Sequence, residues 1–148
     1  MKLARAIKKT KRVYLAGNGG SAANAIHIAN DLISVGVKAQ ALTADVATVT
    51  AIANDFSYEE IFSKQLAVFG EPGDLLIVLS GSGNSPNIIK ALEEAKRIGM
   101  VTWAIVGRAD CKAIEIADNC YISNKEMQGA EEIQLMIGHE EMLCLRNS

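Results

Sequence analysis

The sequence predicts an α/β domain: a doubly wound, flavodoxin-like parallel sheet of five strands flanked by helices. Two observations predict it. Short apolar runs, among them RVYLA at 12–16, LLIVL at 75–79 and VTWAIV at 101–106, alternate along the chain with amphipathic stretches of helical period. The composition is 49% apolar but only 5% aromatic, which gives the aliphatic, alanine-rich core usual where helices cover both faces of a sheet.

Residues 2–10 form a short helix with Leu3 and Ile7 on its apolar side, and 12–16 a buried strand that stops at Gly17. A helix over 21–34 carries Ala22, Ala25, Ile26, Ala29 and Ile33 on one side. Residues 37–42 are the second strand, 46–53 a short helix or turn, and 58–69 a helix. The turn Glu71-Pro72-Gly73-Asp74 feeds a third strand at 75–79. The pattern then gives a helix from Pro86 to Ile98, a strand from Val101 to Val106, a helical turn at 113–117, a short strand at 120–122 and a last helix at 130–145. No linker or repeat divides the 148 residues, so one domain is expected.

The net charge of −2 gives no electrostatic case for a nucleic-acid partner. Lys2, Arg5, Lys8, Lys9, Lys11 and Arg12 put +6 into the first twelve residues, the expected wet face of the first helix. Cys111, Cys120 and Cys144 are odd in number and widely spaced, which argues against a disulfide framework and suits a reducing cytoplasm. The longest apolar run is too short to span a membrane, and no signal-peptide core stands at the N-terminus, so a cytoplasmic protein is expected.

In doubly wound sheets ligands sit outside the carboxyl ends of the strands, which directs attention to two loops. After the first strand comes Gly17-Asn18-Gly19-Gly20-Ser21-Ala22, where glycines admit a ligand to the backbone and a helix N-terminus offers free N–H groups. The spacing also satisfies G-x-G-x-x-A. The acidic residue expected at the end of the second strand of a dinucleotide fold is missing, Asp45 coming only later, and no G-K-[ST] follows. No nucleotide cofactor is therefore expected. After the third strand comes Ser80-Gly81-Ser82-Gly83-Asn84-Ser85-Pro86. A capped helix start needs one serine; three hydroxyls interleaved with two glycines make a cradle for a phosphate dianion.

The stretches GNGGSAANAIH, TAIANDFSYEEIFSKQL, GDLLIVLSGSGNSPNIIKALEEAKRIGM and the later EIQ resemble the sugar isomerase (SIS) domain family, and within it most resemble the phosphoheptose isomerases. The resemblance implies a homotetramer that converts sedoheptulose 7-phosphate to a glycero-manno-heptose 7-phosphate for surface glycans such as lipopolysaccharide. It implies that Ser80, Gly81, Ser82 and Ser85 hold the phosphate, and that Asn18, Gly19, Gly20, Asn54 and Asp55 line the sugar site. Family members carry a further helix before the point where this chain begins. The same subfamily contains non-catalytic, DiaA-like regulators that bind a sugar phosphate or a protein, the alternative reading of the chain.

Aldose–ketose isomerisation moves a proton between C1 and C2 through an enediol, and needs a carboxylate or imidazole at the carbons with an acid or metal at the oxygens. His27 and Asp31, spaced i, i+4, share one face of the helix that begins at the first glycine loop. By the resemblance His27 is a zinc ligand, and Asp31 stands where the family has its catalytic Glu, its carboxylate drawn back by one methylene. The family's last helix carries a Gln with His three and eight residues later. Anchoring on Gln134 makes it the substrate and zinc ligand beside His27 and Asp31, with His139 the nearby acid. Anchoring on His139 as the family's His puts Glu131 at the Gln position. Both registers stand.

Overall fold

The computed structural model describes residues 2–148. The apolar runs become the middle of a sheet: β1 (Val13–Gly17) and β3 (Leu75–Ser80) are buried at every position. They pair with each other and with β2 (Ala39–Ala41), β4 (Val101–Val106) and β5 (Asn119–Ile122), all in parallel, in the order β2-β1-β3-β4-β5. Seven helices stand among the described residues: α1 (Leu3–Lys9), α2 (Gly20–Ser34), α3 (Val46–Asp55), α4 (Ser63–Phe69), α5 (Pro86–Ile98), α6 (Lys112–Ile116) and α7 (Met127–Arg146).

Alternate residues of the central strands feed two cores. Tyr14, Ala16, Leu76, Val78, Ala104 and Val106 pack against Phe62, Leu66, Ile88, Leu92 and Ala95 of the α4–α5 side. Val13, Leu15, Leu75, Ile77, Leu79, Trp103 and Ile105 pack against Leu3 and Ile7 of α1 and Ala25, Ile28, Ala29 and Leu32 of α2, with Leu135 and Ile137 of α7 at the margin. α2 and α7 therefore lie on the same face. The basic residues 2, 5, 8, 9, 11 and 12 are all exposed around the buried Leu3, Ala4, Ala6 and Ile7 of α1, as a solvated helix face requires.

Four elements differ from the sequence pattern. The last helix starts at Met127, three residues before the expected 130, and α2 buries Ala25, Ile28, Ala29 and Leu32 while Ile26 and Ile33 of the expected apolar side are exposed. The stretch 58–69 is split into a 3-10 turn, Tyr58–Glu60, and α4, because Ile61 and Phe62 are driven fully into the core between them. The edge strand β2 is shorter than 37–42: Gly36 takes φ +87° and Val37 N–H still donates to Leu32 of α2, so the chain is leaving the helix there. Asp45 is the N-cap of α3, its carboxylate accepting from Ala47 and Thr48 N–H, which accounts for the acid that a dinucleotide reading would have wanted at the end of β2.

In this strand order the chain leaves β1 for α2 on one face and β3 for α5 on the other. The crevice between the carboxyl ends of β1 and β3 is the topological switch point, where such sheets bind ligands.

Candidate active site

The loop after β1 turns into α2 through Gly19, whose φ of +55° is open to glycine and strained for other residues. Asn18 fixes that loop to the other side of the switch point. Its Nδ2 donates to Asn87 Oδ1 (2.8 Å), and Asn87 Nδ2 donates back to Asn18 Oδ1 (2.9 Å). The Tyr58 hydroxyl adds a third bond to Asn18 Oδ1 (3.0 Å). Asn87 is buried in the first turn of α5, so this amide pair ties the two loops together.

The loop after β3 is held mainly by its own polar groups. Ser80 is buried and its Oγ accepts Gly83 N–H (3.0 Å), Ser82 Oγ accepts Asn84 N–H (3.2 Å), and Asn84 Oδ1 accepts Lys112 N–H (2.9 Å). Gly81 O accepts Gly107 N–H (3.1 Å) from the end of β4. Ser85 stands at the N-cap of α5 before Pro86, yet its hydroxyl caps no N–H of the helix. A cap-only role thus does not account for Ser85. The two loops enclose a cavity of about 70 Å³ lined by Asn18, Ser21, Ser80, Gly81, Ser82 and Ser85, with Leu79 beneath and Met127 above.

A second group forms where α2 and α7 run side by side in parallel. His27 Nε2 lies 3.3 Å and His139 Nε2 3.4 Å from Asp31 Oδ2, and the two ring nitrogens are 3.0 Å apart. The imidazoles meet edge to face. Asp31 Oδ2 is buried, and although both imidazoles are within ion-pair distance it is aligned for a hydrogen bond with neither. The three ligand atoms lie within 4.8 Å of one another. Gly138 makes this approach possible: a Cβ there would stand 2.5 Å from Ile28 Cγ1.

Gln134 is not in this group. It is buried two helical turns from the start of α7, its Nε2 donating to Ser21 Oγ (3.1 Å) and its Oε1 accepting from Asn24 Nδ2 (3.1 Å). Gln134, expected beside His27 and Asp31, bonds through its amide to Ser21 and Asn24 of α2, and the third side chain of the histidine–carboxylate group is His139. Glu131 lies against the glycine loop, its carboxylate 2.4 Å from where a Cβ of Gly20 would be, and its carbonyl accepts Asn24 Nδ2 (2.8 Å). Glu131 and Gln134, the residues at the Gln position in the two registers, both pack against the start of α2, and His139 meets His27 and Asp31. Asn54 and Asp55 end α3 in solvent, and the one side-chain hydrogen bond of either among the described residues runs between them (3.0 Å). Asn87, Tyr58 and Asn24 lie inside the stretches that carry the family resemblance, but no local chemical pattern singles them out as site residues. Gly138 does carry a signal, because a glycine inside a helix costs about 1 kcal/mol against alanine and points to a close approach.

A doubly wound sheet with glycine–serine loops at its switch point and a histidine–carboxylate cluster beside them is the architecture of a sugar isomerase domain. The chain belongs to that family: a family model described as SIS domain matches residues 1–107. It is 43% identical over 135 residues to the phosphoheptose isomerase of Aneurinibacillus thermoaerophilus, covering 86% of this chain and 68% of that protein. It is 39% identical over 140 residues to the phosphoheptose isomerase of Akkermansia muciniphila, covering 90% and 74%. The solved structure of phosphoheptose isomerase GmhA from Neisseria gonorrhoeae superposes with a TM-score of 0.89 at 30% identity, over 99% of this chain and 82% of that one. Among the described residues no helix is long and apolar enough to cross a membrane.

Proposed function

We propose that this chain is an aldose–ketose isomerase of the phosphoheptose type, interconverting sedoheptulose 7-phosphate and D-glycero-D-manno-heptose 7-phosphate through an enediol. The observation that carries the reading is the convergence of His27, Asp31 and His139 on one pair of helices, in a chain whose relatives are phosphoheptose isomerases.

The phosphate is held by the 80–85 loop, where the Ser82 and Ser85 hydroxyls and the Asn87 N–H in the first turn of α5 supply donors without a cation, Pro86 having no N–H and Ile88 and Ile89 N–H donating to Ser85 O. The sugar chain lies along Asn18, Gly19 and Gly20. Asp31 takes the proton from C1 of the ketose, which the C2 carbonyl acidifies, and returns it to C2. His139 gives a proton to the C2 oxygen as the enediol forms, and takes one from the C1 oxygen as the aldehyde appears.

The same residues fit a zinc ion. Two imidazole nitrogens and one carboxylate oxygen are a donor set of catalytic zinc sites, and the buried, unpaired Asp31 Oδ2 has the electron pairs such an ion would use. His27, Asp31 and His139 would hold it in place of the free proton-transfer roles of Asp31 and His139, and when bound it would supply Lewis-acid polarisation of the sugar oxygens.

The reading includes a homotetramer. Ile26 and Ile33 of α2, and Met136 and Leu143 of α7, are each spaced i, i+7 and roughly half exposed, an apolar face beside the cluster that a second copy would cover. Gly20 and Asp31 are eleven residues, about 16 Å, apart along α2, so assembly on that face would bring one chain's cluster toward another's loops.

Turnover of sedoheptulose 7-phosphate by wild type, Asp31→Asn and His139→Ala tests the proposal. Asp31→Asn should lose at least ~10²-fold in kcat with KM little changed. A wild type that binds the sugar phosphate but does not turn it over would sink the enzyme reading and leave a sugar-phosphate sensor.

A further inference from the structure

The cavity between the two loops does not stand alone. Beside it, at the carboxyl ends of β4 and β5, opens a cleft of about 620 Å³ between Gly107–Asp110 and Asn124–Met127. Gly81, Ser82 and Met127 line both spaces, so they form the partition between them. Met127 is the first residue of α7 and is half exposed, an uncommon placement for a long apolar side chain with no core to join. What it touches explains the placement. A Cβ on Gly81 would stand 2.6 Å from Met127 Sδ and 3.2 Å from its Cε, so the thioether occupies the volume that a side chain at 81 would fill. The floor under this contact is rigid. Gly107 N–H donates to Gly81 O, and a Cβ on Gly107 would meet Gly81 O at 2.6 Å and Lys125 O at 3.0 Å.

We infer that Met127 is a specificity-determining residue: seated over Gly81, it closes the anion cavity on the side of the neighbouring cleft and restricts the site to phosphate monoesters. The inference rests on the reading of the 80–85 loop as the phosphate site. A cavity of about 70 Å³ takes one phosphate group and little else. With Met127 in place, an ester substituent leaves past Asn18 and Ser21, toward α2 and the sugar site. A second substituent on phosphorus would have to pass through the Met127 thioether. A monoester therefore fits, and a diester whose second substituent points toward the cleft does not, so the sugar chain departs on the side away from Met127. Without the partition the phosphate would still find its donors, but the chain could leave into either space.

Titration with inorganic phosphate, methyl phosphate and dimethyl phosphate, read from the amide NMR shifts of Ser82 and Gly83, tests this. Wild type should bind the first two and discriminate against the diester. In Met127→Ala the ratio of diester to monoester Kd should fall by about 10-fold or more, within the range by which an apolar pocket wall discriminates. Comparing the ratio across variants cancels the charge difference between the esters. Met127→Leu, which keeps an apolar side chain over Gly81, should keep the wild-type ratio. Truncating a half-exposed residue at a helix start leaves both cores untouched, so the variant folds. If methyl phosphate still binds Met127→Ala and the ratio is unchanged, the inference is overturned while the phosphate reading survives. If inorganic phosphate moves neither amide in the wild type, both fall.

Discussion

Gly138→Ala probes what brings the cluster together. In an isolated helix the change is favourable by about 1 kcal/mol, since alanine has the higher helix propensity. Here the new methyl would stand 2.5 Å from Ile28 Cγ1 and 2.8 Å from its Cδ1, about 1 Å short of ordinary van der Waals contact. Ile28 cannot swing aside: it is 4% exposed, it belongs to the core under α2, and β-branching in a helix restricts it to essentially one χ1 rotamer. α7 must then move off α2, and overpacking of this kind costs about 1–3 kcal/mol. The two terms leave the variant between neutral and about 2 kcal/mol less stable. The consequence for chemistry is larger. His139 is the next residue on α7, 3.4 Å from Asp31, and a displacement near 1 Å can cost about 10²-fold in rate. Urea unfolding gives the stability and turnover of sedoheptulose 7-phosphate gives the rate. Gly138→Ala/Ile28→Ala, which removes the clash, should be more stable than the two single changes predict by addition. A Gly138→Ala protein that gains the full ~1 kcal/mol and keeps its turnover would refute the claim that α2–α7 contact positions the cluster.

Other consequences are measured separately. Ser82→Ala with Ser85→Ala should weaken sugar-phosphate binding by a few kcal/mol in calorimetry, at ~1.5–3 kcal/mol for each hydrogen bond to a charged group; unchanged affinity would move the phosphate elsewhere. Removing metal with a chelator and adding zinc back should raise the thermal midpoint of wild type but not of His27→Ala or His139→Ala, since an ion that binds only the folded state stabilises it. Burial pushes the Asp118 carboxyl up, but the Lys96 ammonium and the Thr102 N–H and hydroxyl outweigh it, and the net shift is downward. Because the folded-state value lies below the unfolded one, Asp118 contributes stability that is present above about pH 3.9 and is lost as pH falls through the folded value. The stability gap between wild type and Asp118→Asn should therefore be open at pH 7 and close as pH falls through the lowered folded-state value; a gap that persists in strong acid would mean the side chain acts by packing alone. Light scattering at micromolar concentration should report a tetramer, and a monomer would remove the assembly from the proposal.

Some of this was legible in the sequence because the signals are local. α5 and β4 have the bounds that the pattern predicts, since Pro86 starts the helix, Gly99 ends it at φ +92°, and an apolar run follows at once. The two loops were legible for the same reason: glycines and serines between a buried strand and a helix start are a pattern within a few residues. The cluster is different in kind. His27 and His139 are 112 residues apart, and their meeting depends on how far α7 slides along α2. Nothing within either helix fixes that slide, which is why two registers for the last helix stood open. The contact of Gly138 with Ile28 and the bonds from Asn24 to Glu131 and Gln134 fix it in three dimensions. The split of 58–69 was hidden likewise, since Ile61 and Phe62 leave the helical pattern only because a core exists to receive them.

The two halves of the site are held by different forces, and that difference bears on how its chemistry could change. The phosphate loop is built from backbone: N–H groups of Gly83, Asn84, Gly107 and Lys112 bond within it or onto it, and the Asn18–Asn87 pair locks it to the neighbouring loop. None of these bonds uses a side chain of α2 or α7, so substitutions on those two helices leave them in place. The cluster rests on side chains projecting from two helices whose close approach depends on Gly138, where an added methyl would collide with Ile28. Phosphate binding should accordingly be the robust property of this fold and proton transfer the fragile one. A chain of this family can lose an imidazole or a carboxylate from α2 or α7 and still hold its sugar phosphate, which turns an enzyme into a sensor without rebuilding the domain. By that criterion this chain stands on the enzyme side, because His27, Asp31 and His139 are all present and converge on one another, which a sensor that needs only the loops would have no physical reason to maintain.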